Sequence, residues 1–400
     1  MKSLTEYLEQ SAVSKKTIDT FIVPHKHCWA KFDPVVGYTL DNYIPRDGID
    51  GCSTISTAQP SGIRTPHNYT EQSCRINTYG NSFTQCHQVS DGETWQEYLA
   101  AHLGEPIRNF GMGGFGVYQA YRRMLRAESS ELGAPYVILY IWGDDHCRSL
   151  MRCRHAVTYP WWDSARGLMF HGNFWAHVEM NLDSGAFVEK ENLLPTPKSL
   201  YRMTEPAFMV DALKDDLMLQ LYVAEIVDPI TLDLGKLGSL AEILGIEALD
   251  TSSRDRLAQT SHRLRNTYGF AATKFIVAKA QDFCRQQNKK LMICILCPTA
   301  TRQLLNNQPR YDQAVADHLA QETTPFFDMN QVHQEDYKAF NLPVEDYMKR
   351  YFIGHYSPAG NHFFAFSIKD TIVDWLDPKP ITYRDDDEST MIDFEGYLPG

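Results

Sequence analysis

The sequence predicts an α/β protein: a parallel sheet with helices on both faces. Two observations carry this. From residue 75 onward, short apolar runs alternate with longer segments of helical character. Residues 136–142, Tyr-Val-Ile-Leu-Tyr-Ile-Trp, form an unbroken apolar run of β-branched and aromatic residues. Such a run fits a strand buried on both faces, as central strands of parallel sheets are.

Taken in order, residues 1–20 read as a loose amphipathic helix. Residues 21–74 lose the helical period. Turn-rich stretches such as Phe32-Asp-Pro-Val-Val-Gly-Tyr38, Pro45-Arg-Asp-Gly48 and Pro60-Ser-Gly-Ile-Arg64 predict short strands and hairpins beside the main sheet. The first core strand spans 75–79 and stops at Gly80, and a helix covers 94–103. A short strand at 106–110 ends in the glycine-rich turn Gly111-Met-Gly-Gly-Phe-Gly116, followed by a helix over 117–127. The spacing of these glycines is not that of a dinucleotide-binding turn. The strand at 136–142 ends in Gly143-Asp-Asp-His-Cys-Arg148.

Residues 150–260 interrupt the alternation. They hold Trp161, Trp162, Phe170, Phe174 and Trp175, then helix formers at 211–227 and 237–244. The aromatics either line an acyl or sugar pocket or pack the insert onto the sheet. The core resumes with a helix at 267–287, a strand at 290–297, a helix at 311–321 and a strand at 325–329. A last helix is expected at 363–376, with His362 at its N-terminal end as a packing residue. The expected organisation is an extension over 1–74, a core over 75–150 and 265–380, an inserted subdomain or lid over 151–264, and an acidic tail over 381–400 containing Asp385-Asp-Asp-Glu388.

Bulk properties narrow the function. The formal charge of −12 and the lack of a basic run argue against a nucleic-acid partner. No apolar stretch is long enough for a membrane span, and the N-terminus has no apolar core of a secretory signal, so a cytoplasmic location is expected. The nine cysteines lack framework spacing and are expected to be free thiols. Asn68-Tyr-Thr70 is a glycosylation sequon by pattern alone. His146, Cys147, Cys153 and His155 match no zinc spacing, and Cys294-Ile-Leu-Cys297 falls in a strand, where cysteine behaves as a small hydrophobe. Neither a metal nor another cofactor is expected.

Four features fall at strand ends, where ligands bind in such folds: Ser82 on the turn after the first strand, the glycine turn, the acidic turn, and His355 before the last helix. Acyl transfer needs these parts: a hydroxyl with a base in reach, and fixed donors for an oxyanion. Ser82 with His355 supplies the pair, and the backbone N–H groups of Ser82 and Gly114 supply the donors.

The order and wording of these blocks resemble the SGNH (GDSL-type) hydrolases. Gly80-Asn-Ser-Phe-Thr84 resembles the nucleophile block, Asn109-Phe-Gly-Met-Gly-Gly-Phe-Gly116 the block with the oxyanion glycine, Gly143-Asp-Asp145 the Asn-Asp block, and His355-Tyr-Ser-Pro-Ala-Gly-Asn361 the histidine block. The leader at 32–38 resembles a segment that precedes the nucleophile in some bacterial members. The resemblance covers 75–148 and 265–376, and more weakly 30–74. It implies a flavodoxin-like three-layer α/β/α fold and a serine esterase or acylhydrolase acting on a small or medium ester, with Ser82 as nucleophile, Gly114 as second oxyanion donor and His355 as base.

Three positions depart from the pattern. Asn81 stands where the family has Asp. Asp144 stands where it has an oxyanion-donating Asn, and an ionised carboxylate donates nothing. Phe352 stands three residues before His355, where the family has the acid of its triad. Asp145, Asp328, Asp346 or a backbone carbonyl remain as orienters of His355. Arg148 is expected to pair with Asp144 or Asp145, or to bind a substrate carboxylate. The open alternatives are an O-acyltransferase that moves acetyl to a sugar or metabolite hydroxyl, and a binding protein with a decayed site.

Overall fold

Five parallel strands form the central sheet: β1 (Ile76–Gly80), β2 (Ile107–Asn109), β3 (Tyr136–Trp142), β4 (Lys290–Leu296) and β5 (Phe326–Asp328), in the order β2-β1-β3-β4-β5. That is the flavodoxin-like order, with its reversal between β1 and β3. The computed structural model describes residues 1–23, 29–161 and 172–384. Cys28, Trp162, Phe170 and the acidic run 385–388 lie outside the described residues.

Alternation along the central strands builds two cores. Val137, Leu139 and Ile141 of β3 and Leu291, Ile293 and Ile295 of β4 face one side. There they meet α2 (Val117–Glu128), α3 (Arg254–Gln286) and α4 (Gln313–Gln321). Tyr136, Ile138 and Tyr140, with Met292, Cys294 and Leu296, face the other side. That face is covered by α1 (Trp95–Leu103), α5 (Met329–Tyr337) and α6 (Pro358–Trp375). Three layers result, as expected.

The helix starts follow local chemistry. Thr94 caps α1 by accepting from Glu97 N (3.2 Å), and Gly104 ends it in the left-handed region. α6 begins at Pro358, earlier than the expected 363, because Ser357 caps it and proline suits the first helical position. α3 begins at Arg254 rather than 267, capped by Ser253, so one continuous helix crosses the expected insert boundary at 264.

The extension holds a hairpin (Ala30–Asp33 with Gly37–Leu40) and a chain of short bridges. Among its described residues the insert holds a second hairpin (His177–Met180 with Phe187–Lys190) and α-helices at His155–Thr158, Pro206–Leu213, Leu217–Val223 and Leu234–Ile243. Of the aromatics at 161–175, Phe174 and Trp175 pack rather than line a pocket. Trp175 is buried, donates to Met151 O (2.6 Å) and stacks on Tyr38, and Phe174 packs on Phe208. Trp161 is exposed. Among the described residues, no helix is long and apolar enough to cross a membrane.

Candidate functional site

β1 ends at Gly80, whose φ of +157° lies at the margin of the glycine-favouring region. A Cβ there would come within 2.5 Å of Tyr140 O, so the tight turn needs glycine. Asn81 follows, and its Oδ1 accepts from Phe83 N (2.7 Å). This starts the one-turn helix Ser82–Gln85 and holds Ser82 at the carboxyl edge of the sheet.

His355 reaches the same edge from the loop ahead of α6. Its Nε2 lies 2.7 Å from Ser82 Oγ. The third member is neither an acid nor a backbone carbonyl but Gln88, whose Oε1 lies 2.9 Å from His355 Nδ1. Two partners of fixed polarity set the amide's orientation. His355 N, which can only donate, lies 2.8 Å from Oε1, and Asp47 O, which can only accept, lies 2.9 Å from Nε2. Oε1 therefore accepts, His355 carries its proton on Nδ1, and the lone pair of Nε2 faces the serine hydroxyl. Burial, reinforced by the charges of His87 and Arg148, holds His355 well below the ordinary histidine range. The imidazole is neutral near pH 7, the form a base needs.

The expected acids are engaged elsewhere. Asp328 binds Arg310 and caps α5, and Asp346 pairs with Lys349. Asp145 accepts from Asn81 Nδ2, from Trp142 N (2.8 Å) and from Arg148 Nη1 (3.2 Å). Burial outweighs these partners and pushes its carboxyl up to about 7. Asp144 turns outward, with 60 % of its side chain exposed, and meets Arg148 Nη2 at 3.3 Å. Arg148 thus makes the expected ion pair with both. Phe352 stacks on Tyr356 (4.6 Å between ring centroids) and, partly buried, packs against the core.

Gln88 depends on the extension. Cys86 and Gln88 both have left-handed φ (59° and 72°), which curls the chain back under His355. Arg64, 2 % exposed, holds this curl: its guanidinium donates to the carbonyls of Gln85, Cys86 and Val89, each at 2.6 Å, and to Asp91 (2.8 Å). His87 pairs with Asp47 (2.9 Å), and its ring lies 5.1 Å from that of His355. Sequence reasoning missed Gln88, Asp47, His87 and Arg64 as site residues. Glutamine in a loop carries no spacing signal, and neither positive-φ residue is glycine or asparagine.

The glycine turn sits across from Ser82. Gly113 N donates to Gln85 Oε1 (2.6 Å), and Gly113 O accepts from Tyr38 Oη (3.0 Å). Gly114 is buried, with φ +83°. Among the described residues, the hydrogen-bond ladder gives neither Ser82 N–H nor Gly114 N–H an acceptor. The structure therefore brings together Ser82, His355, Asn81, Asp145 and Arg148. Asp144 is held by Arg148 and, among the described residues, makes no hydrogen bond to Ser82 or His355.

The cysteine and histidine readings resolve separately. His146 bonds Thr273 (2.8 Å), His155 bonds Ser11 O (2.7 Å), Cys147 donates to Arg265 O (3.7 Å) and Cys153 to Gly172 O (2.9 Å), so the four do not converge. Among the described residues, no group of side chains is arranged to hold a metal ion, and all eight cysteines are unpaired. Cys297 lies just beyond β4, as the cap of helix Pro298–Leu305, and burial pushes its thiol up rather than down.

No protein-family model matches the chain, and no curated protein matches it.

Proposed function

We propose that this chain is a serine hydrolase of the SGNH type that cleaves a carboxylic ester. The observation that supports it most is the 2.7 Å approach of His355 Nε2 to Ser82 Oγ, with the tautomer fixed from behind by Gln88. Ser82 attacks the ester carbonyl while His355 takes its proton on Nε2. The imidazolium keeps its Nδ1–H bond to Gln88 Oε1. The oxyanion faces the N–H groups of Ser82 and Gly114. His355 then protonates the leaving alcohol, and a water activated by the same histidine releases the acid and restores the serine. A cytoplasmic setting accords with the unpaired cysteines.

The test uses a fluorophosphonate probe and short p-nitrophenyl esters on the wild-type chain and Ser82→Ala. Labelling and turnover that disappear together in the variant are the expected result. A folded wild-type chain that takes no label refutes the proposal. Product analysis with added alcohols then separates hydrolysis from acyl transfer.

A further inference from the structure

A cavity of about 210 Å³ opens at the carboxyl edge of the sheet, between β3, β4 and the overlying α3. Trp142, Asp144, Tyr222, Arg265, Gln303 and Tyr311 line it. Neither Ser82 nor His355 lines it, but its Trp142 wall links it to the serine turn. Gly80 pairs with Tyr140 and Trp142 with Leu296, so the Trp142 wall is one strand from the Ser82 turn, a spacing of about 5 Å. Phe83, next to Ser82, stacks on Trp142 with ring centroids 5.8 Å apart.

The charges around this cavity do not balance. Arg148 uses both neighbouring carboxylates, Asp144 and Asp145. Arg265 lies over the Tyr222 ring (4.4 Å) and Arg154 lies among Tyr38, Asp144 and Tyr222; among the described residues neither makes an ion pair. Asp312, near Tyr311 and His146, is already held by Arg310 (2.7 Å). Of these charged groups only Arg265 and Asp144 line the cavity, and Asp144 is already held by Arg148; Glu225 lies near His262 on the same wall, but among the described residues it makes no ion pair with Arg265. A planar guanidinium with no acid of its own, on the wall of a cavity, suits a carboxylate or phosphate brought by a ligand. A cavity of about 210 Å³ has room for a short acidic chain.

We propose that this cavity receives an anionic group, a carboxylate or a phosphate, carried by the ester that Ser82 attacks, with Arg265 as its recognition residue. The proposal rests on the serine-hydrolase reading and adds a substrate class to it. The test compares p-nitrophenyl acetate with mono-p-nitrophenyl succinate on the full chain, as wild type, Arg265→Ala and Arg265→Lys. The wild type is expected to favour the succinate ester. In Arg265→Ala the ratio of kcat/KM for succinate over acetate falls about 10- to 100-fold, chiefly through KM, with partial recovery in Arg265→Lys. Fluorophosphonate labelling of Ser82 checks that each variant is folded. Succinate and inorganic phosphate, each tested for protection of Ser82 against the probe, tell the two anions apart; both lose their effect in Arg265→Ala. A labelled wild type with no preference between the esters and no protection by either anion overturns this proposal alone. Equal losses on both esters in Arg265→Ala also overturn it. A wild type that takes no label overturns both readings.

Discussion

Replacing Gln88 tests the central feature of the site. In Gln88→Ala, two buried donors lose their acceptor: His355 N and His355 Nδ1–H, now 2.8 and 2.9 Å from Oε1. A buried donor left unsatisfied costs about 1–3 kcal/mol. The Nδ1–H tautomer is the one that needs this acceptor, so the cost falls on the form that accepts the serine proton. At about 1.4 kcal/mol per tenfold, kcat/KM drops roughly 5- to 150-fold. That is less than the ~10⁴ lost when an amide replaces the acid of a Ser-His-Asp triad and favours the wrong tautomer. Here the amide already presents its oxygen.

Gln88→Glu probes the charge. A carboxylate about 4 Å from the imidazolium centre, at an effective dielectric near 20, contributes about 4 kcal/mol, enough to raise the histidine by roughly three pH units. Its other oxygen faces Asp47 O, which now accepts from Gln88 Nε2 at 2.9 Å, so the new acid keeps its proton to higher pH than an ordinary Glu. The assay is kcat/KM for a p-nitrophenyl ester as a function of pH. Activity needs neutral His355. The wild type therefore stays active well below pH 6.5, where its depressed histidine remains unprotonated, whereas the acid limb of Gln88→Glu moves to higher pH. Full activity in Gln88→Ala, together with superimposable profiles for wild type and Gln88→Glu, refutes the assignment.

Asn81→Asp sets two buried carboxylates against each other, since Asn81 Nδ2 now donates to Asp145; stability by urea titration is expected to fall by about 3 kcal/mol, and adding Asp145→Asn is expected to restore at least half of it. His146 and His155 are buried neutral, pushed down to about 4 by desolvation. An unfolded chain protonates them near 6.5, so their stability is full above that pH and is lost as pH falls toward 4, by up to about 3 kcal/mol each. Asp145, pushed up to about 7, works oppositely: its contribution is present below its unfolded value near 4 and is lost as pH rises through 7. Urea midpoints from about pH 7 to about pH 4 are expected to decline on balance, less steeply in His155→Gln.

β3 was legible because its seven residues are all aliphatic or aromatic, and it matches its expected bounds, Tyr136–Trp142. The start of α3 was hidden because residues 254–266 hold few large apolar side chains and many charged ones; its only early sign was the cap Ser253. Ser82 and His355 were legible since each stands at a strand end or a helix start with recognisable turn chemistry. Gln88 was not. Its place depends on two left-handed residues and on Arg64, which reaches it from another segment through three carbonyls. Tertiary clamps of that kind leave no periodicity.

A neutral orienter changes where the site puts its electrostatic help. In a triad with an acid, the carboxylate stabilises the imidazolium. Gln88 Oε1 offers only a dipole, and Arg148 disfavours a charged His355. In the proposed reaction, proton transfer from Ser82 creates two charges, an imidazolium and an oxyanion. The positive charge of Arg148 opposes the first and favours the second. On the proposed reading, an anionic substrate group resting on Arg265 offsets part of that charge as it binds. The histidine then takes its proton more readily with the right ester in place than without it. The missing acid of the triad and the unpaired Arg265 are, on this argument, two parts of one device, in which the substrate supplies the negative charge that the chain does not.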